Sequence, residues 1–384
     1  MFSKLFIFLL VLISIGVFVY DSGVNYVQHV DIRRSFVNHP EFIPTSEIAN
    51  LSSGGFQNII ADSYWLSTIQ YIGSNALGSE YKGYLYSMIN LITDMNPHFV
   101  FPYEIGELLL PSYNERYEQL SKDEIQKNTD QAIKLGMKGI VKNCDPQKVE
   151  KAKNEFNLSK LWTDESYKNA CKDPMIPYYL AYIYYWNLHD GAKSSEYYRL
   201  ASTNTDAPTG ARTMAAIMQG KSGDREKAII MLLSLAESIE GNKNTLCKQF
   251  SSELGTTLLN TFNAKATLTG KGLAEIDSIR QSIIKKLEEE GVNPTNGQNV
   301  DNFCSTYLNK AVREINLSYL EQADARYLHD KKEHAILPSI LLKSGYIDYN
   351  PIDFQQDIKN KQGIEYFYST ETNNWDYRMA GEKR

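Results

Sequence analysis

The sequence predicts an all-α protein, in which a solenoid of helical hairpins is followed by a small α+β module at the C-terminus. Apolar residues recur with helical spacing along most of the 384 residues. Alternating runs of Val, Ile and Thr, which would indicate strands, are scarce. Residues 177–238 contain two similar halves, each made of an apolar-periodic helix, a short polar turn and a second helix. Such hairpins leave an apolar face that a neighbour must cover, so we expect them to stack.

The two halves of 177–238 align with a shift of 34 residues, which places Ala181 on Ala215 and Asp190 on Asp224. The spacing is that of a helical hairpin repeat, although two ordinary antiparallel helix pairs with a chance period would give a similar pattern. The other residues that carry the pattern are Tyr178, Tyr182, Tyr185, Lys193, Ser194, Tyr198 and Ala201 in the first half, and Ala216, Gly223, Lys227, Ala228, Leu232 and Leu235 in the second.

These residues resemble the tetratricopeptide-repeat (TPR) family, in which small residues let paired helices approach and large ones fill the space between them. The C-terminal part has a long helix, then Leu337-Pro338-Ser339, Leu341–Leu342, Gly345-Tyr346-Ile347 and Pro351, and then two short strands. This order resembles that of some membrane-anchored bacterial proteins of this family. It also resembles the end of some pseudopilins. The resemblance implies a curved stack of hairpins whose first helices line a concave, partner-binding groove.

The N-terminus predicts a membrane anchor. Lys4 precedes sixteen apolar or small residues, 5–20, and the run ends at Val19, Tyr20 and Asp21, which suits a signal-peptidase site poorly. We therefore expect an uncleaved single-pass helix with its N-terminus inside and the rest of the chain outside. A cleaved signal peptide and a buried core helix are the alternatives.

Residues 58–97 predict a helical hairpin, with the inward face of its second helix formed by Leu85, Met88, Ile89 and Ile92. The sequence Ser121-Lys-Asp-Glu124 is a capping box, and Asp145–Pro146 combines a cap with a proline at the first helical position. Both pairs mark the start of a helix.

The last part of the chain has a different sequence pattern. An amphipathic helix within 272–291 ends at Gly291, and 292–302 is polar enough for a linker. A long helix is expected from about Asn302 to His329, and the tail 361–378 predicts two short strands with a turn at 372–374.

The chain is thus predicted to comprise four parts. They are an anchor at 1–21, a linker with a short helix at 22–55, a TPR-like helical repeat domain at 56–291, and a C-terminal helix with a small β-hairpin module at 292–384.

The candidate partner-binding residues are Tyr179, Ile183 and Trp186, which share one stripe of the helix at 175–187. The TPR resemblance places this stripe in the concave groove, beside a packing face formed by Tyr178, Ala181, Tyr182 and Tyr185. The alternative is that the stripe belongs to the core, because a helix that is apolar all round is often buried.

The sequence contains no motif for nucleophilic, phosphate-binding or zinc-dependent catalysis, so we expect a protein that is not an enzyme and needs no cofactor. The segment His329–His334 could place Asp330 and His334 on one face of a helix, but the pattern favours a solvated charge run at a helix end, and no metal is expected. A net charge of −6 without a basic stripe argues against nucleic acid as a partner.

Four cysteines, Cys144, Cys171, Cys247 and Cys304, allow three disulfide pairings, and their spacing favours none of them. An extracytoplasmic location would permit disulfides. Together these features predict a membrane-anchored, extracytoplasmic scaffold or assembly factor of the cell envelope that binds a protein or peptide. The alternative is a structural component of a surface, pilus or secretion-like machine, and the oligomeric state stays open.

Overall fold

The computed structural model describes residues 43–76, 78–240, 269–289, 305–353 and 363–379, together with positions 14, 15, 17, 252 and 291. These residues form fourteen α-helices and one two-stranded antiparallel sheet. A mostly helical chain with a small hairpin near its C-terminus is therefore confirmed. The chain divides into two compact units, Met1–Asn143 and Cys144–Arg384.

In the first unit, helix α3 is the centre of the packing, because α1, α2, α4 and α5 all contact it. The predicted inward residues Leu85, Met88, Ile89 and Ile92 are all fully buried, as expected for the centre of a small helical core. The helices of this unit are α1 (Ser46–Ser52), α2 (Gln57–Ser74), α3 (Lys82–Met95), α4 (Val100–Leu109) and α5 (Lys122–Asn143).

Two predicted helix starts are confirmed by their hydrogen bonds. At the start of α5, the backbone N–H of Ser121 donates to Glu124 Oε2 over 2.8 Å and the backbone N–H of Glu124 donates to Ser121 Oγ over 3.3 Å, which is a reciprocal capping box. At the start of α6 (Pro146–Asn154), the Asp145 carboxylate accepts from the backbone N–H groups of Gln147 and Lys148. Local sequence alone thus determines where these two helices begin.

The second unit contains the two predicted hairpins, and their second helices repeat at the predicted spacing. Helix α9 spans Gly191–Ala201 and α11 spans Arg225–Leu235, so both ends are shifted by the same 34 residues. Helices α8, α9, α10 and α11 follow one another in space as in the chain, each contacting the next. The remaining helices before and between them are α7 (Leu158–Thr163), α8 (Met175–Trp186) and α10 (Gly210–Lys221).

A C-terminal assembly continues this row of helices. The 27-residue helix α13 (Ser305–Lys331) packs on α11, and one hydrophobic cluster joins α11 with the other elements of this assembly. The predicted strands are confirmed: β1 pairs with β2 antiparallel, and Tyr366 lies opposite Tyr377. The elements of this assembly besides α13 are α12 (Gly270–Glu289), α14 (Pro338–Lys343), β1 (Ile364–Ser369) and β2 (Asn374–Met379).

Buried ion pairs attach this assembly to the second hairpin. Arg225, at the start of α11, bonds Glu314 over 2.7 Å and Glu321 over 2.9 Å, both on α13, and donates to the backbone carbonyl of Trp375 in β2. Arg313 bonds Asp353 in a similarly buried pair. Since a buried guanidinium is costly without partners, these bonds hold helix α11, helix α13 and the hairpin in register.

A disulfide joins Cys144 and Cys171. The spacing of the cysteines left the partner of Cys144 open, and the structure identifies it as Cys171. The bond encloses α6 and α7, which lie against α9 and α11 respectively. Cys247 and Cys304 lie outside the described residues.

No helix within the described residues is long and apolar enough to cross a membrane. The predicted anchor at 1–21 lies outside those residues except for positions 14, 15 and 17, as do most of the linker at 22–55 and the polar stretch at 292–302.

Candidate protein-binding surface

Helix α8 separates a buried face from an aromatic one. Ile176, Leu180, Ala181 and Ile183 are buried in the core. The opposite side carries the side chains that are left to solvent or only half covered. We call this side the aromatic face, and its residues are Tyr178, Tyr179, Tyr182, Tyr185 and Trp186.

Two residues dominate the exposed part of the aromatic face. Trp186 is 56% exposed and Tyr182, one helical turn before it, is 46% exposed. Their ring centroids are 5.9 Å apart, and Tyr185 lies against Trp186 edge to face at 5.1 Å. Rings at such distances attract each other, so the exposed part of the face is one contiguous apolar surface.

The aromatic face ends at a charged pair. The Lys221 ammonium, at the end of α10, lies 5.6 Å from the centroid of the Tyr185 ring and 3.6 Å from the Asp376 carboxylate of β2. Burial disfavours the charge on Lys221, but Asp376 and the Tyr185 hydroxyl outweigh it and raise the pKa of Lys221. Lys221 therefore stays cationic at neutral pH and adds a cation–π contact beside the exposed rings.

Arg199 on α9 connects the first hairpin to its neighbours. Its guanidinium donates to Ser195 Oγ over 2.8 Å and to Gln219 Oε1 over 3.0 Å, and it also bonds the backbone carbonyl of Lys153. Desolvation lowers the pKa of Arg199 to about 10, so it is still charged at neutral pH. By linking α6, α9 and α10, Arg199 fixes the hairpin that presents the aromatic face.

The structure separates the three predicted partner-binding residues. Trp186 is exposed and Tyr179 is half-buried, but Ile183 is only 1% exposed and belongs to the core. The stripe that does reach solvent contains Tyr182, which the TPR pattern predicts to be a packing residue. Ile183 follows Tyr182 by about 100° around the helix axis, so it lies on the buried side with Ile176 and Leu180, whereas Tyr182 lies on the exposed side.

Tyr182 is thus a part of the surface that the sequence pattern misplaced. The sequence does contain an indication of this, namely the size of the side chain. A tyrosine at a position where the repeat usually has a small residue cannot enter a close helix contact.

The segment at 329–334 does not form the helical face that a metal site would need. Helix α13 ends at Lys331 and Lys332 has a left-handed backbone, with φ 63°, so His334 is not one turn after Asp330. His334 instead bonds Asp324 over 2.7 Å, and His329 bonds Asp330. Among the described residues, no group of three His, Cys, Asp or Glu side chains is arranged to hold a metal ion.

No family model, curated protein or solved structure matches this chain.

Proposed function

We propose that this chain is a protein-binding scaffold or assembly factor of the cell envelope, held outside the membrane by its N-terminal apolar segment. The observation that carries the proposal is the exposed Tyr182–Trp186 pair. Interface energy concentrates in Trp, Tyr and Arg side chains, and a rigid aromatic pair loses little entropy when a partner covers it. Catalysis plays no part in this proposal.

The packing of the second unit supports a TPR-like solenoid as the platform for this surface. Helices α8 to α11 contact their neighbours in chain order, and α13 covers α11 at the end of the row. The TPR resemblance implies that the first helix of each hairpin lies on the binding side, and the aromatic face is on such a first helix.

The Cys144–Cys171 disulfide supports the extracytoplasmic location. Disulfides persist in oxidising compartments and are rare in the cytosol of mesophiles, where thiols are kept reduced. The apolar run at 5–20 supplies the anchor in this proposal. A carbonate wash tests it, since an anchored chain stays in the membrane fraction and a cleaved chain is released with a new N-terminus beyond Tyr20.

The binding proposal is tested by co-purification of the tagged full-length chain from detergent-solubilised membranes, with mass spectrometry of the proteins it retains. Trp186→Ala is compared with the wild type and with a matched control, Tyr117→Ala, which removes an exposed aromatic outside this face. We expect the wild type and the control to retain the same partner and Trp186→Ala to lose it at an unchanged melting temperature. Equal recovery by all three proteins would contradict the proposal.

A further inference from the structure

The first unit contains a cavity, and the residues that line it are far in sequence from the aromatic face on α8. It has a volume of about 410 Å³ and lies between the chain entering α1 and one side of α3. A ligand of one or two rings fits a cavity of this size. The residues that line it are Ile43, Pro44, Thr45, Ser46, Glu47, Tyr84, Tyr86, Ser87, Asn90 and Leu91.

The polar wall of this cavity is fixed from behind by Lys138 of α5. The Lys138 ammonium bonds Asn90 Oδ1 over 2.9 Å, Thr93 Oγ1 over 2.8 Å and Asp94 Oδ1 over 2.6 Å. The other oxygen of Asp94, Oδ2, accepts from Ser46 Oγ and from Asn90 Nδ2. Asn90 and Ser46 are therefore held in one orientation before any ligand arrives, which lowers the entropy cost of binding.

The charges around the cavity disfavour an anion. Among the lining residues that the structure describes, Glu47 is charged and there is no Lys or Arg. The nearby ammonium of Lys138 is already bonded to the Asp94 carboxylate and to three neutral oxygens. A phosphate or carboxylate would enter without a cation to pair with and would lose its hydration, which is costly.

The remaining groups suit a ligand rich in hydroxyls. Ser46, Ser87 and Tyr86 offer hydroxyl groups, and Asn90 Nδ2 has a second N–H beyond the one given to Asp94. The Tyr84 ring is 37% exposed and is held edge to face by Tyr71 at a centroid distance of 6.5 Å. The negative face of such a ring attracts polarised C–H groups, as on one side of a sugar ring.

We propose that this cavity binds a neutral saccharide of one or two rings. One sugar ring lies against Tyr84 at the rim. Its hydroxyl groups bond Ser46, Ser87 and Asn90 on the wall, and Glu47 accepts one further hydroxyl. This site belongs to the first unit and is independent of the protein-binding surface proposed on α8.

The test is calorimetric titration of the full-length protein with cellobiose, maltose and N,N′-diacetylchitobiose. The protein is kept in lauryldimethylamine oxide, because maltoside and glucoside detergents carry sugar headgroups that would fill the site. We expect saturable binding of at least one disaccharide in the micromolar to millimolar range, weakened roughly tenfold by Tyr84→Ala. Inorganic phosphate and glucuronate are expected to give no saturable heat.

Two variants separate binding from folding. Asn90→Ala removes a wall group but also a partner of Lys138, so its melting temperature is measured beside its affinity. Tyr84→Ala changes only the rim, and Tyr117→Ala serves as the matched control with unchanged affinity. The proposal is overturned if no neutral disaccharide binds the wild type, or if Tyr84→Ala and the wild type bind with equal affinity.

Discussion

Asp190 and Asp224, 34 residues apart, cap the second helices of the two hairpins in the same way. The carboxylate of Asp190 accepts from the backbone N–H of Lys193 over 2.9 Å, and that of Asp224 accepts from the backbone N–H of Lys227 over 3.3 Å. The residues before them, His189 and Gly223, are both left-handed, with φ 54° and 90°. The turn of the hairpin is thus repeated at the level of backbone geometry and capping bond.

This relationship gives a first prediction. Asp190→Ala should lower the free energy of unfolding by about 1 kcal/mol, because an N–H at the start of α9 loses its acceptor. Asp190→Asn is the matched control and should stay within a few tenths of a kcal/mol of the wild type, because asparagine caps about as well as aspartate. Denaturant melts of the three proteins measure the difference. Equal losses for both variants would show that charge, and not the cap, matters at this position.

The second prediction concerns a buried small residue of the second hairpin. Ala228 is fully buried on α11, where the repeat pattern places a small residue. Ala228→Leu should overpack this contact and destabilise the protein by about 1–3 kcal/mol. Ala192→Leu, at an exposed position of α9, should change stability by less than about 0.5 kcal/mol. If the two variants have the same melting temperature, the contact at Ala228 is looser than its burial indicates.

The third prediction distinguishes the two sides of α8. Ile183→Ala should destabilise the protein by about 2–5 kcal/mol, because a buried side chain leaves a cavity. Trp186→Ala should cost less than about 1 kcal/mol, because the indole is mostly in solvent. Thermal melts of both variants test this. A larger loss for Trp186→Ala than for Ile183→Ala would reverse the assignment of core and surface on this helix.

The fourth prediction concerns Glu107 on α4. Neither of its carboxyl oxygens has a hydrogen-bond partner in the part of the chain that the structure describes, and burial, with a smaller effect of Glu104, raises the pKa of Glu107 well above its usual value. In the unfolded chain the Glu107 carboxyl has a pKa of about 4.3, so the folded protein holds this proton more tightly than the unfolded chain does. Stability should therefore fall as pH rises above that value.

Glu107→Gln removes this titration and keeps the size of the side chain. We expect the variant to gain stability relative to the wild type, and the gain should be larger at about pH 7 than at about pH 4. Denaturant melts at the two values measure it, with Glu80→Gln at an exposed position as the control. A gain that does not change with pH would show that the pKa of Glu107 is the same in the folded and the unfolded protein.

The helices and their starts follow from local sequence, whereas side-chain exposure on α8 does not. The capping box at Ser121 and Glu124 and the cap at Asp145 need only neighbours within one helical turn, so the sequence identifies them. Tyr182 and Ile183 are both large and apolar, and which one faces the core depends on the contact that α8 makes with the rest of the second unit. That contact is tertiary, and the helical period of α8 alone leaves the rotation undetermined.

The cavity beside α3 is even harder to predict from the sequence. Ser46 and Asp94 are 48 residues apart, and Lys138 lies 44 residues after Asp94. Helix α5 brings the ammonium to α3 only after the chain has passed through α4 and a long loop. Three single polar residues at such distances form no motif, so the fixed wall around Asn90 becomes visible only in the folded unit.

The disulfide between Cys144 and Cys171 also determines how the second unit bears mechanical load. Cys144 is the first residue of that unit, and Cys171 lies four residues before α8 begins. Tension that arrives along the chain from the N-terminal side passes through the sulfur bridge to Cys171, since the covalent path of the bridge is far shorter than the enclosed loop. Residues 145–170 are bypassed, so α6 and α7 keep their places against α9 and α11 while the force is carried by the first hairpin.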